Sequence, residues 1–198
     1  MKKVLIKTNN NPHFIGSWYM EPLTICEDLI SYFKLNLTKQ MHGRTFVGLN
    51  RDIKDSVDIT IKPNEIVLPG NEVFKAYFEE LFTCYKNYIK EWPFLESLAQ
   101  KTEIGPFNLQ RYNPGQHFKV IHSERVSIDS SHRIFAFMTY LNDVKEGGST
   151  YFSHYDLEIQ PKKGLTLIWP AEWTHAHRGN IIKEGSKYII TGWIYFAS

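Results

Sequence analysis

From about residue 106 the chain breaks into a series of short runs. They read FNLQRY, FKVIHSERVS, RIFAFMTYLN, STYFSHY, LEIQP, GLTLIWP and KYIITGWIYF, with turn signals such as NPG, EGG and KKG between several of them. Runs of this length, rich in β-branched and aromatic residues, are strand-forming. Many of them at short spacing close into an antiparallel sandwich or barrel. The first half has a different texture. Residues 22–34 place Leu23, Cys26, Leu29, Ile30 and Phe33 at helical spacing. A longer helix is predicted over 72–91, where Val73, Phe74, Tyr77, Phe78, Leu81, Phe82, Tyr85, Tyr88 and Ile89 form one apolar stripe that ends before Pro93. Such a stripe packs on a sheet. The pieces KKVLIK, TFVGL and VDITI read as further strands. The expected class is α+β, mainly β: helices first, then a double-sheet core. With no linker in sight, residues 1–198 form one domain, in which 1–105 support a core of 106–198.

Composition sets the outer limits. A chain of 198 residues that is 42% hydrophobic and 15% aromatic can bury a sizeable core. A net charge of +2 without any dense Lys/Arg run gives no reason to expect a nucleic-acid partner. The apolar run Val4–Ile6 is far too short for a leader or a membrane span. Only two cysteines, Cys26 and Cys84, both in helical segments, make a disulfide framework a poor expectation. A cytoplasmic protein with no membrane partner is expected; the oligomeric state is not legible.

The run FKVIHSERVS contains the first chemical signal. Read as an extended strand, it places Phe118, Val120 and Val126 on one face. Lys119, Ile121, Ser123, Arg125 and Ser127 fall on the other. His122 and Glu124 share the apolar face, where a carboxylate is costly unless paired or bound to a metal. WTHAHRGN offers further histidines, His175 and His177. Two histidines and one carboxylate suit non-haem Fe(II) oxygen chemistry, because they hold one side of the ion and leave positions open. The last run adds a second oddity. Lys187 shares a face with Ile189, Thr191, Trp193 and Tyr195, and both faces of that strand are largely apolar. Its ammonium either snorkels to water at the strand's start or needs an anion inside.

Taken in order, four stretches resemble one family. They are RYNPGQHFKVIHSE, RIFAFMTYLNDVKEGGSTYF, PKKGLTLIWP and HRGNIIKEGSKYIITGW. From Leu109 to Phe196 the chain is similar to the Fe(II)- and 2-oxoglutarate-dependent dioxygenases of the prolyl 4-hydroxylase-like branch, with phage and bacterial members the nearest in pattern. The resemblance implies a double-stranded β-helix, a jelly-roll core with flanking N-terminal helices. It implies Fe(II) held by His122, Glu124 and His177, with His175 outside the ligand set. Lys187 would pair with the far carboxylate of 2-oxoglutarate, joined there by Tyr140 and Tyr112. Arg133 and Trp193 would lie beside a substrate proline. O2 is the other co-substrate, and ascorbate a further candidate cofactor. The reaction implied is hydroxylation of a prolyl residue in a peptide or protein, coupled to decarboxylation of 2-oxoglutarate to succinate and CO2. A phage origin would put it in the host cytoplasm. Most relatives carry His-x-Asp where this chain has His122-x-Glu124, which places the ion differently. Two other readings stay open: the same chemistry on another residue or a free small molecule, and a jelly roll that only binds. Gly147 and Gly148 are expected in a turn between strands, not at a phosphate.

Overall fold

A computed structural model describes residues 1–8, 12–45, 47–98 and 102–197. In the first half, strands β1 (Lys2–Lys3) and β2 (Gly16–Tyr19) precede helix α1 (Thr24–Leu35). Strands β3 (Met41–His42), β4 (Lys54–Asp55) and β5 (Val57–Ile61) follow, then helices α2 (Glu72–Glu91) and α3 (Phe94–Leu98). The second half is mainly strand: β6 (Thr102–Ile104), β7 (Phe107–Tyr112), β8 (His117–His122), β9 (Arg133–Tyr140), β10 (Glu146–Gly147) and β11 (Thr150–Phe152). It ends with β12 (Leu157–Ile159), β13 (Leu165–Pro170), β14 (His177–Gly179), β15 (Ile182–Glu184) and β16 (Lys187–Phe196). None of the described helices is long and apolar enough to cross a membrane.

Two sheets face each other. The larger runs β1-β2-β13-β9-β16-β7-β5-β3, with β6 on the free end of β16, and the smaller runs β12-β11-β14-β8-β4. The core strands alternate between them along the chain: β7 in the large sheet, β8 in the small one, β9 back in the large, β11 and β12 in the small, then β13, β14 and β16 alternating again. This is a double-stranded β-helix, and all its pairings are antiparallel.

Side chains of the central strands of the large sheet alternate between its two faces, and both faces are covered there. The outer face lies under α1 and α2. There Phe107, Leu109, Phe135, Phe137, Ile168, Ile190 and Ile194 meet Leu29 and Phe33 of α1 and Phe74, Tyr77, Leu81 and Tyr88 of α2. Gly192 shows how close this packing is, because a Cβ there would come within 2.7 Å of the Phe137 ring. At about 25 cal/mol per Å2 of apolar surface, each fully buried aromatic contributes about 1.5–3 kcal/mol. The inner face carries Tyr112, Met138, Tyr140, Trp169 and Ile189 toward the small sheet.

Several expectations are corrected. KKVLIK pairs only over Lys2–Lys3. In TFVGL, Thr45 and Gly48 form only an isolated bridge to each other, and Phe46 lies outside the described residues. Phe82 is more than half exposed and lies off the buried stripe of α2. STYFSHY is strand only over Thr150–Phe152 before a 3-10 turn at Ser153–Tyr155. FKVIHSERVS stops being strand at His122, and Val120 and Val126 are exposed. Their face does hold the two polar groups, but it borders an open cleft and not a packed core.

Candidate metal centre and its cleft

Pairing of β8 with β14 sets His122 directly opposite His177, with an irregularity before the next pair, Phe118 and Gly179. The two imidazoles lie 4.5 Å apart between ring centroids. Beyond His122 the chain bends into a 3-10 turn at Ile128–Ser130. The Ser130 hydroxyl accepts from the Val126 and Ser127 N–H groups there, and Arg125 N–H donates to the Ala171 carbonyl. That bend turns Glu124 back over the strand end, with its Oε1 3.4 Å from His177 Nε2. One ligand-capable atom each from His122, Glu124 and His177 lies within 4.8 Å of the others, and among the described residues this is the only such group.

The protonation states suit a divalent cation. His122 Nδ1 lies 2.9 Å from the Val120 carbonyl, and His177 Nδ1 lies 2.9 Å from the His175 carbonyl. A carbonyl only accepts, so each Nδ1 carries the proton and each Nε2 keeps its lone pair for a metal. Burial, the largest cause, pushes His122 down to about 4, so its ring is neutral at physiological pH. Burial alone would raise the Glu124 carboxyl, but its contact with His177 and the hydrogen bond from Trp193 outweigh it and hold it at about 2. Two imidazoles and a carboxylate, open on one side, are the donor set that Fe(II) takes in oxygen chemistry. His175 is buried but points elsewhere, with Nε2 3.0 Å from the His13 carbonyl and Nδ1 3.0 Å from Thr174 Oγ1. It serves the cluster through its own carbonyl.

The cluster opens into a cleft of about 570 Å3 between the sheets, bordered also by Tyr112, Thr150, Gly179, Lys187 and Trp193. Lys187 is 3% exposed, so it does not snorkel to water. Its Nζ donates to the Gly148 carbonyl at 2.8 Å and sits 4.7 Å from the Tyr112 ring centroid. Among the described residues no carboxylate forms an ion pair with it, and burial pushes its ammonium down to about 7. Gly147 and Gly148 both hold positive φ, 81° and 71°, in the turn that presents this carbonyl. At Gly179 the missing Cβ leaves room beside the ammonium, since one built there would lie 3.8 Å from Lys187 Nζ. A small anion fits this corner.

The remaining expected residues gather here too, some by unexpected contacts. Tyr112 lines the cleft, and its hydroxyl donates to Gln110 Oε1 at 2.8 Å. Tyr140 is fully buried behind Thr150 and donates to Thr150 Oγ1 at 2.6 Å, which leaves the threonine proton free to point into the cleft. Arg133 and Trp193 both touch Glu124. Sequence reasoning missed Lys54, Gln110 and Thr150 as cleft residues. Lys54 Nζ pairs with Asp58 at 2.6 Å, and Gln110 Nε2 donates to the same carboxylate at 3.1 Å. A signal existed: Asn108, Gln110 and Tyr112 occupy alternate positions opposite Phe107 and Leu109, which marks a polar wall.

Residues 107–195 match the 2OG-Fe(II) oxygenase superfamily, a stretch that holds the triad and Lys187. The curated proteins that the chain resembles over part of its length are prolyl 4-hydroxylases. A probable prolyl 4-hydroxylase 9 of Arabidopsis thaliana is 32% identical over 114 residues, which cover 44% of this chain and 40% of that protein. The chain thus spans less than half the length of this curated relative. Two solved structures have the same fold over nearly the whole chain. A viral collagen prolyl hydroxylase from Paramecium bursaria Chlorella virus-1 is 19% identical, with a TM-score of 0.66 over 93% of this chain and 97% of that one. A Pseudomonas putida prolyl-4-hydroxylase is 15% identical, with a TM-score of 0.70 over 94% and 95%.

Proposed function

We propose that this protein hydroxylates a prolyl residue in a peptide or protein, using O2 and 2-oxoglutarate at an Fe(II) site held by His122, Glu124 and His177. Succinate and CO2 are the other products. The observation that carries this reading is the meeting, in one cleft, of a two-histidine, one-carboxylate cluster with a buried ammonium that pairs with no carboxylate among the described residues. The cluster alone leaves Lys187 without a reason, and an anion site alone leaves the cluster without one. A 2-oxo acid with a second, distant carboxylate accounts for both.

Bound Fe(II) supplies the redox chemistry that couples decarboxylation of the co-substrate to hydroxylation. The protein's part is placement. His122, Glu124 and His177 would occupy one side of the ion and leave the cleft side free for exchangeable ligands. Lys187 would hold the far carboxylate by a charge-assisted hydrogen bond, with Thr150, backed by Tyr140, and Tyr112 bordering the same end. Phe118, Met138, Trp169 and Ile189 give the cleft an apolar wall that limits water around the reacting groups. The rim favours a peptide over a small free molecule. Val47, Val120 and Val126 border the opening at 70%, 43% and 62% exposure, which gives an extended chain an apolar surface to lie on.

The test measures succinate release from 2-oxoglutarate in air with Fe(II), with and without proline-containing peptides. Peptide-stimulated turnover with a hydroxylated proline in the product supports the proposal. Turnover that no peptide stimulates moves the substrate to another class, and absence of both turnover and metal binding overturns the reading.

A further inference from the structure

The contacts of Glu124 go further than a ligand list, and their reading rests on the metal site just proposed. A glutamate side chain has one more rotatable bond than an aspartate, so its carboxylate is harder to fix in one place. Here that carboxylate is held. Trp193 Nε1 donates to Oε2 at 2.7 Å, while Oε1 faces His177. Arg133 adds a second restraint, since its Nη1 donates to the Glu124 backbone carbonyl at 2.7 Å. The guanidinium also lies 3.7 Å from the Trp193 ring centroid, which fixes the tilt of the indole. Its closest approach to the carboxylate itself is 4.0 Å, so the indole, not the arginine, makes the direct bond. Strand pairing supports both residues, with Trp193 opposite Ala136 and Arg133 opposite Tyr195 at one end of the β9–β16 pair.

We propose that Trp193, braced by Arg133, is the positioning residue that seats the longer Glu124 carboxylate, fixing Oε2 so that Oε1 is presented to the metal. Neither residue is a ligand. Their effect on the ion passes through Glu124, as outer-shell partners commonly act.

The experiment titrates the metal-free protein with Co(II) in the absence of peptide, where a residue that only contacts substrate has no influence. Trp193→Phe keeps the ring and removes the donor. It should weaken Co(II) binding about 10–100-fold and shift the ligand-field spectrum of the bound ion, while 2-oxoglutarate affinity at saturating metal stays within about twofold. Glu124→Asp retracts the carboxylate from the indole, so adding Trp193→Phe to Glu124→Asp should cost nothing further. Wild-type affinity in Trp193→Phe, or an equal cost in both backgrounds, overturns the proposal. If Trp193→Phe does not fold, Arg133→Met decides: about tenfold weaker Co(II) binding is expected, and unchanged binding overturns it. If the wild type binds no Co(II), it is the metal site itself that fails, a result visible before any variant is made.

Discussion

The two faces of strand β16 are built from the same ten residues and do opposite jobs. Ile190, Gly192 and Ile194 point outward to the helices and meet only apolar partners. Lys187, Thr191 and Trp193 point inward, where they border the cleft beside His177 and Glu124. The outer face is dry, close-packed and replaceable by any residues of the right size. The inner face keeps polar groups that are costly to bury, and each has a partner: Trp193 has Glu124, Thr191 the Phe137 carbonyl and Lys187 the Gly148 carbonyl. A sheet covered on both sides needs no polar residue for folding, so polar residues at alternate inward positions point to function.

Substitutions on each face should separate stability from activity, and the largest effect belongs inside. His177→Ala removes a ligand without opening the outer core, so turnover should fall to background and metal binding should be lost while the unfolding midpoint stays close to wild type; a variant with full activity breaks the ligand assignment. Phe137→Ala on the outer face should do the reverse. It should cost about 3–5 kcal/mol in denaturant unfolding yet leave Co(II) affinity nearly unchanged at temperatures where the variant is folded.

Lys187→Met sharpens the contrast, because it should harm function and help stability. The lysine sits at about 7 in the folded protein, against about 10.5 when unfolded. Between those values the unfolded chain holds more protons, so wild-type stability should rise as pH climbs from 7 to 10.5. The burial penalty is present in full below pH 7. The methionine variant should lose that slope, be more stable than wild type at pH 7, and need far more 2-oxoglutarate for half-maximal turnover. A wild-type stability flat across this range would show the ammonium is not buried unpaired. The smallest effect is expected at the surface pair Lys145–Glu184, where Lys145→Ala should change stability by under about 1 kcal/mol, because exposed ion pairs are screened.

The strand pattern was legible in the sequence because alternation and turn residues act locally. KYIITGWIYF forms a strand over its whole length, and the helix read over 72–91 spans Glu72–Glu91. Of the short pieces, VDITI forms β5, whereas Thr45 and Gly48 of TFVGL make only an isolated bridge to each other. At the site, the residue types were legible and their contacts were not. Nothing local to Trp193 or Arg133 announces Glu124, and nothing near Tyr140 announces that Thr150 stands between it and the cleft.

The sequence by itself determined the class of the fold, the two helices and the identity of the polar residues at inward positions, since period and residue chemistry are properties of short stretches. Only the tertiary structure decided that His122 faces His177, that Glu124 is held by an indole, and that Lys187 is buried against the Gly148 carbonyl. Those facts depend on register between strands far apart in the chain. A one-residue slip there would send every one of these side chains to the other face.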